Sequence, residues 1–283
     1  MDKQFSACGV ITVTTDTANK GSFVATIKGV ILTRFIEAKI VDLTHDAVVQ
    51  WPAEAGFWLS RAYCYFPAGT VHLCVVDPGA RLEPHALVAV FDGHAFLGPD
   101  NGVLAPIVAS GASTYRIDLN LLDRIGLKFT GGTFHGRDLY APIAAALACG
   151  ACKPQDLGAP TSDVTPSWVD DPVVSAGEVQ GTVITVDNFG NLITNIDGTL
   201  LAGLTQPVVH AGGHEIPFKT TYSDASPGEY LALVNSFGVL EVARSEMSAD
   251  QGLGIGRGSP ITVRNLKSAS SRNTTSNSVV NQP

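Results

Sequence analysis

Residues 10–45 read VITVTTDTANKGSFVATIKGVILTRFIEAKIVDLTH, and this stretch decides the fold. Val10–Thr14 and Lys39–Leu43 are short runs rich in Val, Ile and Thr, which suits extended chain. Between them, Phe23–Leu32 spaces its apolar residues as a helix does. Two strands joined through a helix form the unit of a parallel sheet, because parallel neighbours need a long crossover. The pattern continues with a helical stretch at Pro52–Tyr65 and apolar runs at Val71–Val76 and Ala86–Phe91. Pro52 in the first turn, with Glu54 close behind, suits a helix N-terminus. An N-terminal α/β domain is therefore expected, its mostly parallel central sheet covered on both faces.

Further along, Lys153–Gly177 shifts to Pro, Asp, Ser and Thr without a clear period and marks a domain boundary. Beyond it, short strand-like runs alternate with Gly-rich turns: Gly181–Val186, Pro207–His210, Tyr230–Val234 and Pro260–Val263. That rhythm fits a small β-barrel or sandwich. The expected division is an α/β domain over 1–160, a linker over 161–177, a β domain over 178–266 and a disordered tail over 267–283. The tail is Ser, Asn and Thr with little to bury. No internal repeat is visible.

The 283 residues are 45% hydrophobic, 16% charged and 7% aromatic, which excludes a disordered or collagen-like chain. A formal charge of −8, with neither sign in long blocks, argues against a nucleic-acid partner. Met1–Val13 lacks the basic and long apolar regions of a secretory signal, and no run approaches the roughly 20 apolar residues of a membrane span. A soluble, cytoplasmic protein without a membrane partner is expected. Five scattered cysteines do not suggest a disulfide framework. Cys149 and Cys152 form a CxxC, but the run before them, Ala141–Ala148, reads as a buried helix, so a structural role is favoured over redox chemistry.

Open α/β sheets bind ligands beyond the carboxyl ends of their strands. Asp16, His45 and Asp77 each follow an apolar strand run and are the first candidates. A strand-end Asp is commonly a turn former, but Asp77 is delivered by a predominantly apolar strand into a Pro78-Gly79 turn, which favours function there. Gly131–Asp138, GGTFHGRD, places His135 just ahead of a helix beginning near Ala141. Such a turn can bind an anion or polarise a water, with His135 as base. Equally, His135 could cap the helix, with Arg137-Asp138 as a local ion pair. Pro99–Gly102 and Asp187–Asn191 read by themselves as turns. Trp51 and Tyr222 could stack on a planar ring or simply pack. There is no GxGxxG and no Walker loop, so neither a dinucleotide nor an ATP site is signalled.

Taken in order, these segments resemble the S-adenosylmethionine hydroxide adenosyltransferases, relatives of the fluorinase and chlorinase. The matching pieces are Thr15-Asp16 with Lys28-Gly29-Val30, Ile40–His45, Val75–Gly79, Pro99–Gly102, Phe134–Asp138, Asp187–Ile196, and Asn235–Gly238 with Leu240-Glu241. Each is weak singly, and the ordered set is specific. The resemblance implies an α/β domain, a barrel-like C-terminal domain, and a homotrimer whose sites lie between the N-domain of one subunit and the C-domain of its neighbour. It implies conversion of S-adenosylmethionine and water to adenosine and methionine, with no cofactor and no metal.

Carried over by position, Asp77 and His135 match two members of the family's Asp-Arg-His set that activates water. Asp16 matches the carboxylate that grips the ribose diol, and Trp51 sits where relatives place an aromatic beside the nucleoside. Asp187, Asn191 and Tyr222 would form the adenosine pocket, with Ser236 and Glu241 near the adenosine or methionine end. Asp77, together with His135 and Gly136 in place of the halogenases' halide-site sequence, points away from halogenation. Two departures stand out. Pro84 falls at the family Arg, leaving Arg81 or His85 as the third catalytic group, and Gly21 replaces an acidic residue that relatives use near the methionine amino group. Two alternatives follow: an adenosine-binding or sensor protein without turnover, and an enzyme for another 5′-substituted adenosine.

Overall fold

The computed structural model describes residues 4–76, 85–129 and 132–265. The chain divides into two compact units, Met1–Asp170 and Asp171–Pro283.

The N-terminal unit begins with β1 (Val10–Thr15), α1 (Phe23–Arg34), β2 (Lys39–Thr44), α2 (Pro52–Ala62) and β3 (Val71–Val75). There follow β4 (Ala86–Phe91), β5 (His94–Pro99), α3 (Ala105–Ala109), β6 (Ser113–Ile117), α4 (Leu119–Arg124), α5 (Ala141–Ala148) and β7 (Gly158–Pro160). The sheet order is β2-β1-β3-β5-β4-β6-β7. β1 lies parallel to β2 and β3, and β3 parallel to β5. β4 is antiparallel to both β5 and β6, and β7 to β6, so only β4 and β7 run against the rest. The sheet is thus mostly parallel, as the opening βαβ pattern implies.

The strand beside β3 is β5, and Ala86–Phe91 runs back between β5 and β6. The reversal is made by a two-residue turn in which Asp92 and Gly93 have φ of 45° and 83°, the geometry that Asp-Gly favours between antiparallel strands.

Both faces of the sheet are covered, because its strands alternate apolar side chains between them. On one face Ile11, Val13, Val71 and Leu73 pack with Ile27 and Ile31 of α1 and with Ile143 and Leu147 of α5. On the other, Cys74, Val76, Leu87 and Phe96 pack with Ala55 and Leu59 of α2 and Ile107 of α3. Every residue of α5 is buried. Cys149 caps its C-terminal end, Cys152 is buried, and all five cysteines are free. Burial, with Asp156 and Cys149 nearby, pushes the Cys152 thiol up to about 12, the opposite of what a reactive thiolate needs. No helix among the described residues is long and apolar enough to cross a membrane.

The C-terminal unit comprises β8 (Val173–Ser175), β9 (Glu178–Val186), β10 (Leu192–Asp197), β11 (Pro207–Ala211), β12 (His214–Pro217), β13 (Tyr230–Val234), β14 (Val239–Arg244), α6 (Ala249–Leu253) and β15 (Pro260–Asn265). Its sheet runs β12-β11-β15-β9-β10-β14-β13, with β8 added beside β9. All these pairings are antiparallel. A bridge between Phe218 and Ala232, with Lys219 N donating to Ala232 O at 2.8 Å, draws the two ends together into a nearly closed barrel. Val183, Leu192, Ile216, Leu240, Val242 and Ile261 fill its interior.

Candidate functional site

In the N-terminal unit the candidates collect where the parallel strands end, as the geometry of open α/β sheets leads one to expect. Asp16 follows β1, and its Oδ2 accepts from Gln50 N at 3.1 Å. Gln50 sits at φ 58°, a left-handed conformation that a non-Gly residue adopts only when its surroundings impose it. Glu54, buried in the first turn of α2, accepts from Val48 N at 2.8 Å and ties down the same connection from the other side.

Trp51, half-buried at the head of α2, meets Trp168 edge to face at 5.7 Å and 87°. Trp168 is held close through Gly102, at φ 92°, where a Cβ would lie 2.5 Å from Pro166 O and 3.0 Å from the Trp168 ring. Asp100 secures the same segment by accepting from Thr165 N at 2.7 Å and from Arg116 Nη1 at 2.8 Å. Asn101 donates from Nδ2 to Val76 O at 2.6 Å and accepts from Val103 N at 3.2 Å. The Pro99–Gly102 turn is therefore an anchor for the end of β3, one residue before Asp77. Asp77 and Arg81 themselves lie outside the described residues, as does Pro84; His85 is described, and its carbonyl accepts from Asp100 N at 2.8 Å.

His135 is 4% exposed and opens a π-helical turn, Gly136–Tyr140, that runs directly into α5. Such turns are rare and are frequently found at functional sites. The imidazole makes no capping bond to the helix and instead meets Phe129 edge to face at 5.8 Å. Gly136 is buried, with Ile27 and Phe134 each 3.0 Å from the position of a Cβ. Arg137 and Asp138 form a local bidentate pair at 2.6 and 2.8 Å, so the Arg guanidinium is committed to its neighbour.

The C-terminal unit brings together Asp187, Asn191, Tyr222 and Glu241. Asp187 Oδ1 accepts from Phe189 N and Asn191 N, both at 2.9 Å, and Oδ2 accepts from Asn191 Nδ2 at 3.0 Å. The carboxylate thus closes its own turn and fixes the Asn191 amide. Tyr222 donates to Glu241 Oε1 at 2.7 Å, and Asn235 Nδ2 donates to Oε2 at 3.2 Å. Burial raises the Glu241 pKa, assisted by the charge of Asp187, and outweighs the two hydrogen bonds that favour its ionised form. Burial, Glu241 and Asp187 likewise push the Tyr222 hydroxyl upward. Ser236 is exposed at the tip of the β13–β14 turn, whose backbone is folded around Asn235 Oδ1.

Trp168, Asn101 and Asn235 were not singled out as site residues by the sequence reading. Trp168 lay in the segment taken as linker, and the two asparagines resemble ordinary turn formers until their partners across the fold are known.

Two family models match the chain: the SAM hydroxide adenosyltransferase N-terminal domain over residues 11–158 and the corresponding C-terminal domain over 181–262. The (R)-S-adenosyl-L-methionine hydrolase of Thermus thermophilus is 34% identical over 246 residues, which cover 84% of this chain and 93% of that protein. The (R)-S-adenosyl-L-methionine hydrolase of Salinispora tropica is 32% identical over 270 residues, covering 89% of this chain and 97% of that one. An uncharacterized conserved protein from Thermotoga maritima, known from its crystal structure, superposes with a TM-score of 0.80 at 31% identity, covering 90% of this chain and all of that one. With both domain models matched in order, and relatives above 30% identity along most of its length, the chain belongs to the SAM hydroxide adenosyltransferase family.

Proposed function

We propose that the protein hydrolyses S-adenosyl-L-methionine to adenosine and L-methionine, taking the (R)-sulfonium epimer for which its relatives are named. One observation carries this reading. Asp16, Trp51, the Val76 end of β3 and the Asn101 turn, far apart in sequence, fall beyond the carboxyl ends of the parallel strands of one sheet.

In the reaction a water oxygen forms a bond to C5′ of the ribose as the C5′–S bond breaks and its electron pair passes to sulfur. The leaving group is a neutral thioether and needs no acid. The protein has two tasks: to hold oxygen, carbon and sulfur in line, and to remove a proton from the water. In this reading Asp77 and His135 orient and deprotonate the water, with Arg81 as the third member, and Gly136 lets the backbone approach. Asp16, an acceptor only, suits two adjacent ribose hydroxyls. Trp51 lies against the nucleoside. From the C-terminal unit, Asn191, Tyr222 and Ser236 contact the substrate, while Asp187 and Glu241 set the orientation of Asn191 and Tyr222.

A homotrimer, with each site shared between the N-terminal unit of one subunit and the C-terminal unit of the next, is proposed with this chemistry. Exposed aromatic side chains beside the candidates in both units, Phe23 and Trp168 in one and Phe189 and Phe237 in the other, support it. A cytoplasmic location is proposed too, in keeping with five free thiols.

The test is chromatography after incubation with each sulfonium epimer, following adenosine and methionine. Both products are expected from the (R) epimer, and neither from Asp77→Ala or His135→Ala. Tight adenosine binding without product would replace the hydrolase by a binding protein.

A further inference from the structure

The ends of β1 and β2 carry a connected set of side chains to which the chemistry above gives no part. Lys28 Nζ, on α1, donates to Asp42 Oδ2 at 2.6 Å. His45 Nε2 approaches Asp42 Oδ1 at 3.1 Å, off the line of an ideal hydrogen bond. On the other side of the ring, His45 Nδ1 lies 3.0 Å from Thr15 Oγ1, and Thr15 Oγ1 lies 3.0 Å from Thr17 Oγ1. The backbone joins in, with Ala18 N donating to His45 O at 2.7 Å. Thr15 is fully buried and His45 is 4% exposed.

The chemistry of the groups sets the direction of donation. Asp42 is below the usual carboxylate range: burial opposes its ionisation, but the bond from Lys28 and the adjacent His45 ring prevail. As a carboxylate it can only accept, so a ring hydrogen on His45 Nε2 faces it, and Nδ1 meets the Thr15 hydroxyl on the other side of the ring. Thr15 Oγ1 in turn meets the Thr17 hydroxyl. Val13 pairs with Asp42 and Thr14 with Thr44, so β2 carries one extra residue, Leu43, just before His45.

The set brackets Asp16. Thr15 and Thr17 flank it in sequence, Ala18 is in the left-handed region at φ 52°, and Gln50, which donates to Asp16, is there at φ 58°. Two non-Gly residues in a sparsely populated conformation persist only where neighbours hold them. We propose that His45 is a positioning residue: through Thr15 and Ala18 it fixes the segment that carries Asp16, so that the carboxylate is set for a vicinal diol before the substrate arrives. This rests on the adenosyl reading above for the identity of the diol.

The experiment measures adenosine affinity by calorimetry and amide exchange at Ala18 in wild type, His45→Ala, His45→Asn and Thr15→Val. His45→Ala is expected to weaken adenosine binding about tenfold and to speed Ala18 exchange, with β3 and β5 unaffected. Asn places an acceptor near the position of Nδ1, so His45→Asn is expected to recover most of both losses. Thr15→Val keeps the volume, removes the hydroxyl and is expected to match His45→Ala; it serves as the test if His45→Ala does not fold. The double variant is expected to be no worse than either single one, since both break one connection. Wild-type affinity and exchange in Thr15→Val, or no recovery in a folded His45→Asn relative to His45→Ala, would overturn the proposal. Wild type that binds adenosine but releases no product removes the hydrolase reading alone; wild type with no affinity for adenosine removes both.

Discussion

Asn101 holds two backbone groups with one side chain, and its bond to Val76, the residue before Asp77, gives it a clear expected phenotype. Asn101→Asp keeps an acceptor for Val103 N but replaces the donor to Val76 O with a carboxylate oxygen that repels it. Misplacement of a reacting group by a fraction of an ångström can lower turnover by about tenfold to a hundredfold. Asn101→Asp and Asn101→Ala are therefore both expected to lower kcat within that range while adenosine affinity stays near wild type; an equal rise in KM would contradict this. The sequence shows Asn101 only as part of a Pro-Asp-Asn-Gly turn, because its partner Val76 lies 25 residues away. Asp187 has the opposite history. Its bland reading, a turn former, describes its local bonds, and the use of the turn becomes visible in the Asn191 amide that it fixes. Asp16 and His135 were legible from strand ends and a Gly-rich turn, whereas Trp168 was not, since nothing local distinguishes it from a linker residue.

At the scale of elements, β3 and β5 place His72 and His94 side by side within the sheet. Thr12 Oγ1 lies 2.8 Å from His72 Nδ1, His94 Nδ1 lies 3.1 Å from His72 Nε2, and Phe96 stacks on the His72 ring at 4.9 Å. Tyr63 and Phe66 close the site with their ring edges. Burial, and to a lesser extent His94, lower the His72 pKa from 6.5 to about 3. Because the folded value is depressed, the unfolded chain takes up the proton first. The stability contributed is whole above about pH 6.5 and is lost as pH falls toward about 3, by up to about 1.4 kcal/mol per unit. Urea melts at a series of pH values are expected to show this slope in wild type and a flatter one in His72→Gln; identical slopes would refute it. The strands themselves were readable, since Val71–Val76 is apolar apart from His72. The β4–β5 hairpin was not read from the sequence although Asp92-Gly93 is a strong hairpin signal, because the alternating βα rhythm before it drew attention to the parallel strands of a mostly parallel sheet.

For the whole molecule, the expected trimer makes a prediction that subunit mixing can decide. His135→Ala damages the N-terminal unit and Asn191→Ala the C-terminal unit, and each variant alone is expected to be inactive. If sites are shared between neighbours, an equal mixture reassembled at random regains about a quarter of its sites intact. If each site lies within one subunit, nothing is regained, as every chain carries one lesion. The change from βα alternation to short strands revealed both architectures in the sequence, but strand pairing in the barrel depends on contacts between distant segments such as Phe218 and Ala232.

The way the sheets end bears on behaviour at high concentration. An unpaired strand invites another chain to add to it, and proteins blunt that hazard with charge, brevity or proline. Here β2 carries the exposed charges Lys39 and Asp42, β7 spans three residues and finishes at Pro160, and β12 finishes at Pro217 as its continuation turns toward β13. β8 exposes two valines but is only three residues long. Among the described residues these margins are short, charged or interrupted, features that work against templating a neighbour.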